Sequence, residues 1–350
     1  MVLYLSHKIE ILSFLSIVLV LYIHSGFHEY SHEISGMTFN IYLQDIISGK
    51  IGRCAVPLFF SISGYLFFQH IYGIDDVWRK MKRRGGTLLV PYLLACLFLP
   101  LFYLFLEMVP GTEKFINSVN FSDNLKRPLW QLLTFLFFDS GTGTPCAFHL
   151  WFLRDLIVIV VMSPLLYLIR QSKVNRVLVC LILCGLTQTK LPIVPFYGLF
   201  WFMFGSYFLN DFGKIGNKYV ITSLFLIISV IELAMPNFIG KFSILQIPII
   251  ILGIVSMWAW YDKFVPISFD LSQHNGLCSV CSFTFFVYLY HEPTINVVRK
   301  MLVLPFGHSS FGFAFSYLLS PWVFVLLFIP IGVLLKRYLP ALYSVIVGGR

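Results

Sequence analysis

The stretch RCAVPLFFSISGYLF, residues 53–67, begins with an arginine and is otherwise almost entirely apolar. The apolar run continues to about residue 71, close to the roughly 20 residues that an α-helix needs to cross a bilayer. An ionisable side chain in such a segment is costly unless it faces a cavity or a partner. The stretch therefore predicts a membrane-spanning helix in which Arg53 is paired or functional.

The composition extends this prediction to the whole chain. Of 350 residues, 58% are hydrophobic and 12% are charged, and the mean hydropathy is +0.83. A soluble protein could not bury this much apolar surface in its core. These values predict an all-α polytopic membrane bundle, formed by a single integral membrane domain over residues 1–350. About ten transmembrane helices are expected, at about 9–25, 54–71, 87–108, 149–169, 174–189, 193–209, 219–235, 244–261, 279–298 and 318–336.

Basic residues in the connecting segments predict the orientation. The segment WRKMKRRGG, between the second and third predicted spans, has the highest density of positive charge in the chain. We therefore expect it to be cytoplasmic, with both termini on that side of the cell (inner) membrane. Two long polar connections, about 26–52 and 109–148, then lie outside, where a bulky acceptor could be bound.

The net charge of +9 follows from this topology and from attraction to anionic lipid headgroups. A nucleic-acid partner is not expected, because the sequence offers no basic soluble face. The seven cysteines lie mostly in or beside apolar spans and suggest no disulfide framework. Cys278 and Cys281 form a CxxC without a second ligand pair, so no metal site is predicted.

Seven ionisable residues from four predicted spans lie at similar depth in the outer half of the bilayer. His24, for example, is about 24 Å along the first span from Lys8. Each residue alone is compatible with an interfacial ring or a side chain that extends to the headgroups. Together they indicate a water-filled site, because charged groups gathered in lipid are otherwise unsatisfied. They are His24, Arg53, His149, Arg154, Asp155, His291 and Glu292.

These features resemble acyltransferase family 3, a family of integral membrane proteins. The resemblance lies in the first span ending at His24 and in four motifs: RCAVPLFFSISGYLF (53–67), VPYLL (90–94), FHLWFLRDL (148–156) and FFVYLYHEP (285–293). It implies about ten membrane helices and transfer of acetyl or other acyl groups from acyl-CoA to a hydroxyl of an envelope sugar. It also implies that His24 is the catalytic histidine.

One position departs from the family's pattern. The family typically has an arginine eleven residues before the histidine of the first span, where this chain has Ser13. Positions eleven apart share one helical face and lie about 16 Å apart, so Ser13 and His24 can line one channel. In place of that arginine, the basic segment after the second span is predicted to bind the acyl-CoA phosphates. Its residues are Arg79, Lys80, Lys82, Arg83 and Arg84.

Acyl transfer requires a base or nucleophile and donors for the oxyanion that forms at the thioester carbon. His24 suits either of the first two roles, because imidazole titrates near neutral pH. Arg53 is assigned to the oxyanion or to a substrate carboxylate. His291 and Glu292 complete the predicted catalytic group, with Glu292 orienting or charging His291 as a second imidazole.

Five further residues are predicted to bind substrate: His149, Arg154, Asp155, Ser61 and Ser63. Structural alternatives remain for three of them. Asp155 could only neutralise Arg154, and the two serines with Gly64 could only permit close helix packing.

No bound cofactor is expected. The predicted partners are the lipid bilayer, acyl-CoA (acetyl-CoA) as the donor substrate, and an envelope glycan or lipid-linked sugar as the acceptor. A transporter or flippase for a polysaccharide precursor is the competing interpretation, since charged residues inside a helix bundle also line translocation paths. A structural or degenerate member of the family is a third. Dependence on acyl-CoA would separate the enzyme from both.

Overall fold

The computed structural model describes residues 2–28, 37–110, 121–189, 194–235 and 244–349. Parts of the two predicted outer connections, 29–36 and 111–120, lie outside these ranges. Every regular element in the described ranges is helical, which confirms the all-α prediction. The α-helices are α1 (Val2–His24), α2 (Met37–Ile46), α3 (Ala55–Phe68), α4 (Ile74–Arg84), α5 (Val90–Met108), α6 (Leu129–Phe137), α7 (Trp151–Val161), α8 (Ser163–Gln171), α9 (Arg176–Leu186), α10 (Phe196–Phe208), α11 (Lys218–Ala234), α12 (Gln246–Phe264), α13 (Asn275–Ser282), α14 (Thr284–Tyr290), α15 (Thr294–Phe306), α16 (Ser310–Tyr338) and α17 (Pro340–Val347).

Short π- and 3₁₀-helical turns join several of these helices into longer rods. Ile47–Ile51 and Gly52–Cys54 connect α2 to α3, and Gly85–Leu89 connects α4 to α5. Among the described residues, five helices are long and apolar enough to cross a membrane. Two bent helix pairs raise the number to at most seven if each pair is counted as one span. The five are Leu3–His24, Phe39–Phe68, Ile74–Met108, Gln246–Phe264 and Ser310–Tyr338. A helical bundle suits a bilayer because each helix satisfies its own backbone hydrogen bonds.

The outer surface of these helices is apolar, as lipid contact requires. Phe105 on α5 is 62% exposed and Leu326 on α16 is 73% exposed. Side chains of this kind would form an aggregation-prone patch in water, whereas hydrocarbon tails solvate them. The chain is therefore a multi-pass membrane protein.

Two predicted boundaries were wrong. The connection expected over about 26–52 is helical from Met37 onward, because α2 and the turns after it run straight into α3. The span expected over 279–298 is broken between α14 and α15, where Pro293 has no backbone N–H to continue the helix. The predicted span over 149–169 also bends by 61° between α7 and α8.

The first helix lies at the centre of the packing. It contacts α3, α12, α13, α14, α15 and α16. Near its N-terminus, the buried Lys8 donates to Asp262 of α12 at 2.7 Å and lies over the Trp258 ring. These contacts fix α1 so that its C-terminal residue, His24, projects among α14, α15 and the turn before α7.

Candidate active site

Three imidazole rings from three separate elements lie side by side. His24 ends α1, His149 lies in the 3₁₀ turn Phe148–Leu150, and His291 directly follows α14. The ring centroid of His291 is 5.0 Å from that of His24 and 4.8 Å from that of His149. The tertiary structure thus assembles the three histidines into a row with His291 in the middle.

Glu292 pairs with His24. Its Oε1 is 3.3 Å from Nδ1 of His24, and the carboxylate side chain is 2% exposed whereas the imidazole is 19% exposed. A carboxylate beside Nδ1 holds the proton on that nitrogen and leaves a lone pair on Nε2. The sequence assigned Glu292 to orient or charge its neighbour His291, and the structure adds His24 as the imidazole within ion-pair distance of the carboxylate. The arrangement is that of an acid–base dyad whose imidazole is the accessible member.

The other two histidines are anchored by backbone carbonyls. Nδ1 of His291 lies 2.8 Å from the Tyr288 carbonyl, and Nε2 of His149 lies 3.2 Å from the Leu289 carbonyl. A carbonyl only accepts hydrogen bonds, so each of these nitrogens carries the proton. In the neutral rings, Nε2 of His291 and Nδ1 of His149 are then acceptors. Both are buried without a hydrogen-bond partner among the described residues.

Arg154 and Asp155 form an ion pair that also holds a neighbouring loop. The guanidinium donates to Asp155 Oδ1 at 2.9 and 2.7 Å, which fits the alternative that Asp155 neutralises Arg154. It also donates to the carbonyls of Phe138 and Gly143 at 2.8 Å each. In this loop, the N–H groups of Gly141 and Gly143 donate to the Asp139 carboxylate and lower its pKa from the usual value. Arg154 is thus placed to shape the loop before the histidine turn.

Arg53 lies in a second polar group, between the turns before α3 and the helices α11 and α12. Its guanidinium is 3.5 Å from Oε1 of Gln246, whose amide nitrogen donates to Glu232. Lys50 donates to the other carboxylate oxygen of Glu232 at 2.7 Å. Gly52, next to Arg53, approaches Ile23 on α1. Arg53 therefore stands beside the end of α1 with its own set of polar neighbours.

Ser61 and Ser63 have different surroundings. The Ser61 hydroxyl donates to the Trp201 carbonyl of α10 at 3.2 Å, and a Cβ on Gly205 would lie 2.1 Å from the Ser61 carbonyl oxygen. Ser61 thus belongs to a close contact between α3 and α10, which fits the alternative that this serine permits helix packing. Ser63 lines a cavity beside the N-terminal half of α1.

This cavity has a volume of about 320 Å³, and its lining is mostly apolar. Tyr288 closes the wall nearest the histidines, because its hydroxyl donates to the His149 carbonyl at 3.2 Å. Ser13, at the position where the sequence departs from the family pattern, also lines it. The lining residues are Ile9, Glu10, Ser13, Phe59, Ile62, Ser63, Leu66, Arg84, Leu88, Phe152, Leu153, Leu156, Cys281, Ser282, Thr284, Phe285 and Tyr288.

The five basic residues of the predicted phosphate-binding segment are not equivalent. Arg84 alone of the five lines the cavity. Lys80 donates to the carbonyls at the end of α3, including Phe67 at 2.8 Å, and so caps that helix. Arg79, Lys82 and Arg83 are exposed along α4, with Arg79 3.1 Å from Asp76. In the described part of the chain, no cluster of three or more His, Cys, Asp or Glu residues has the geometry of a metal site.

The chain is similar to known proteins over nearly its whole length. A family described as an acyltransferase domain, Acyltransferase 3, matches residues 6–336. The chain belongs to this family. It is also similar to the succinoglycan biosynthesis protein ExoH of Rhizobium meliloti (strain 1021), with 25% identity over 361 residues covering 99% of this chain and 92% of that protein. No solved structure matches.

The sequence interpretation of this Acyltransferase 3 protein did not include two residues at the site. Asn296 and Arg299 on α15 form hydrogen bonds that continue from Glu292. Their spacing was the available signal, because residues four and seven positions after Glu292 lie on one helical face. The prediction of a polytopic membrane acyltransferase is confirmed by the family and the fold.

Proposed function

We propose that this membrane acyltransferase moves an acetyl or other short acyl group from acyl-CoA to a hydroxyl of an envelope polysaccharide or lipid-linked sugar. The observation that carries the proposal is the His24–Glu292 pair, 3.3 Å apart, at the accessible end of the histidine row. The relative named for succinoglycan biosynthesis supports a polysaccharide acceptor.

The proposed reaction assigns the base to His24. Its Nε2 accepts the proton of the acceptor hydroxyl while the hydroxyl oxygen forms a bond to the thioester carbonyl carbon. The C–S bond then breaks, and the CoA thiolate leaves and is protonated by the imidazolium. Glu292 keeps the proton on Nδ1 and stabilises the positive charge that His24 acquires. Arg53 is the proposed donor to the oxyanion or to an acceptor carboxylate.

Donor and acceptor would reach the site from opposite ends of α1. The cavity lies on the N-terminal side of the histidines, and Arg84 gives it a positively charged residue suited to phosphate. We propose that it receives the acyl-bearing arm of acyl-CoA and that α4 provides further charge for the nucleotide. Under the proposed orientation, with cytoplasmic termini in the inner membrane, the donor enters from the cytoplasm. His149, His291, Arg154 and Asp155 then form the acceptor side.

Replacing His24 by alanine tests the proposal. Membranes with matched amounts of wild type and His24→Ala receive labelled acetyl-CoA, and the label in the glycan fraction is counted. A general base contributes about a hundred- to ten-thousand-fold in rate, so we expect a loss of that size. The control is His70→Asn, because His70 is exposed with φ of 57° and asparagine tolerates that backbone. Near wild-type incorporation by His24→Ala would move His149 or His291 into its role.

A further inference from the structure

A line of hydrogen bonds runs from Glu292 along one face of α15. The Asn296 amide nitrogen donates to Glu292 Oε2 at 2.6 Å, and Nε of Arg299 donates to Asn296 Oδ1 at 2.8 Å. Glu292 and Arg299 are both buried. Hydrogen bonds to ionised groups in such surroundings are stronger than neutral ones, so the line is well suited to hold the carboxylate in place.

The same line returns to the backbone beside His24. A terminal N–H of Arg299 donates to the Gly26 carbonyl, and the guanidinium carbon lies 5.0 Å from the Phe27 ring centroid. From the other side, Gln44 Oε1 accepts from the Phe27 N–H at 2.7 Å. Gly26 is two residues after His24. One helix thus holds both the carboxylate that pairs with His24 and the chain segment that follows His24.

Arg299 also determines which way the Asn296 amide points. A guanidinium only donates hydrogen bonds, so Asn296 must present its oxygen to Arg299 and its NH₂ group to Glu292. With the amide reversed, its oxygen would face the carboxylate and repel it. Fixing one carboxylate oxygen by the Asn296 amide leaves the other for His24.

We infer that Asn296 and Arg299 are positioning residues that act on His24 through Glu292. The inference rests on the proposed function only for the identity of the reaction. Neither residue is required to touch substrate. Removing either one frees the Glu292 carboxylate to turn away from His24, and the imidazole loses the group that fixes its tautomer.

A kinetic cycle with Asn296→Leu, Glu292→Gln and the double variant tests the inference on the chain in membranes that contain the glycan acceptor, supplied with labelled acetyl-CoA. Asn296→Leu keeps the number and branching of the side-chain heavy atoms and removes both hydrogen bonds. We expect its kcat to fall on the order of a hundredfold, because small misplacement of a catalytic group has that effect. We expect KM for acetyl-CoA within about twofold of wild type. The kcat of the double variant should lie within about threefold of that of Glu292→Gln, because the effects of two residues in contact are not additive.

Two independent losses that multiply in the double variant, or a change in KM alone, would overturn the inference. Arg299→Lys is a second test: lysine keeps the charge but lacks the two separated N–H groups that reach Asn296 and Gly26, so we expect the same fall in kcat. The matched control is Met301→Gln on an exposed position of α15, for which no change is expected.

Carbethoxylation of His24 by diethyl pyrocarbonate, quantified by mass spectrometry, provides a measurement that does not need acyl transfer. The exposed His70 serves as the internal reference. The rate at His24 should change severalfold, and in the same direction, in Asn296→Leu and Glu292→Gln. A wild-type rate in Asn296→Leu alone would overturn the inference. A chain that transfers no acetyl group but shows this coupling would overturn the proposed function and retain the positioning role.

Discussion

Each of several buried charges in the described helices has a partner of opposite charge from a distant part of the chain. Lys8 pairs with Asp262 and Lys50 with Glu232, and the buried Glu292 carboxylate lies 3.3 Å from the His24 imidazole. In hydrocarbon, an unpaired charge is costly, so these pairs are conditions for the helices to occupy the membrane at all. The same pairs also fix α1 and the chain before α3 in register with helices that follow much later.

Breaking the Lys50–Glu232 pair should be strongly destabilising. The Glu232 side chain is 2% exposed and that of Lys50 is 14% exposed, so Glu232→Ala leaves a nearly buried cation without its partner. We expect a loss of about 3–5 kcal/mol, visible as a lower melting temperature of the detergent-solubilised protein. The control Asp123→Ala breaks an exposed pair with Lys126, and there the melting temperature should not change measurably. Equal effects of the two variants would contradict this account.

Arg53 is expected to need its guanidinium and not only its charge. Its contact with Gln246 uses one planar N–H, and the proposed oxyanion contact needs another. Arg53→Lys should insert normally and lose transfer by about a hundredfold, as for removal of one oxyanion donor. Incorporation of label from acetyl-CoA, normalised to protein in the membrane, is the measurement. Normal transfer by Arg53→Lys would reduce Arg53 to a positive anchor.

At the scale of elements, α3 and α10 approach more closely than large side chains would allow. A Cβ on Gly64 would lie 1.9 Å from the Phe202 carbonyl oxygen, and Gly205 is equally close to the backbone of Ser61. Small residues permit such approach between helices in lipid, where tight packing drives association. The FFSISG portion of the opening stretch is thus explained by packing at Ser61 and Gly64, while Ser63 faces the cavity.

Gly64→Ala should force these two helices apart. We expect destabilisation of about 1–3 kcal/mol, as for insertion of a methyl group into a well-packed core. Thermal unfolding of the solubilised protein reports it. Gly85→Ala is the matched control, because a Cβ on Gly85 has nothing within 4 Å. An unchanged melting temperature for Gly64→Ala would show that the contact yields without cost.

For the whole molecule, the proposed orientation places α4 on the cytoplasmic side and the Phe121–Lys126 turn outside. In a background without cysteine, Arg79→Cys should be protected from an impermeant thiol reagent in intact cells, and Lys126→Cys should react. Both side chains are well exposed, at 78% and 79%, so access within the protein does not limit either reaction. Position 80 is a poorer choice because Lys80 is engaged by the end of α3. The reverse labelling pattern would invert the topology.

The sequence by itself determined the features that depend on local chemistry. Apolar runs of membrane length specify helices because each helix satisfies its own backbone, so the all-α membrane class needed no tertiary information. The motifs around His24 and in FFVYLYHEP likewise pointed to the correct family. The bounds of the ten predicted spans were less well determined, because a proline or a bend can interrupt an apolar run without changing its composition.

The tertiary structure decided which polar groups meet. Glu292 is adjacent to His291 in sequence, yet it pairs with His24, which lies 268 positions earlier in the numbering. Gln246 reaches Arg53 across 193 positions, and Arg299 reaches Gly26 across 273. Sequence spacing fixes the face of a helix on which a side chain lies, but not the helix opposite that face. That choice follows from the packing of α1 among six other helices, which brings polar groups from distant parts of the chain together.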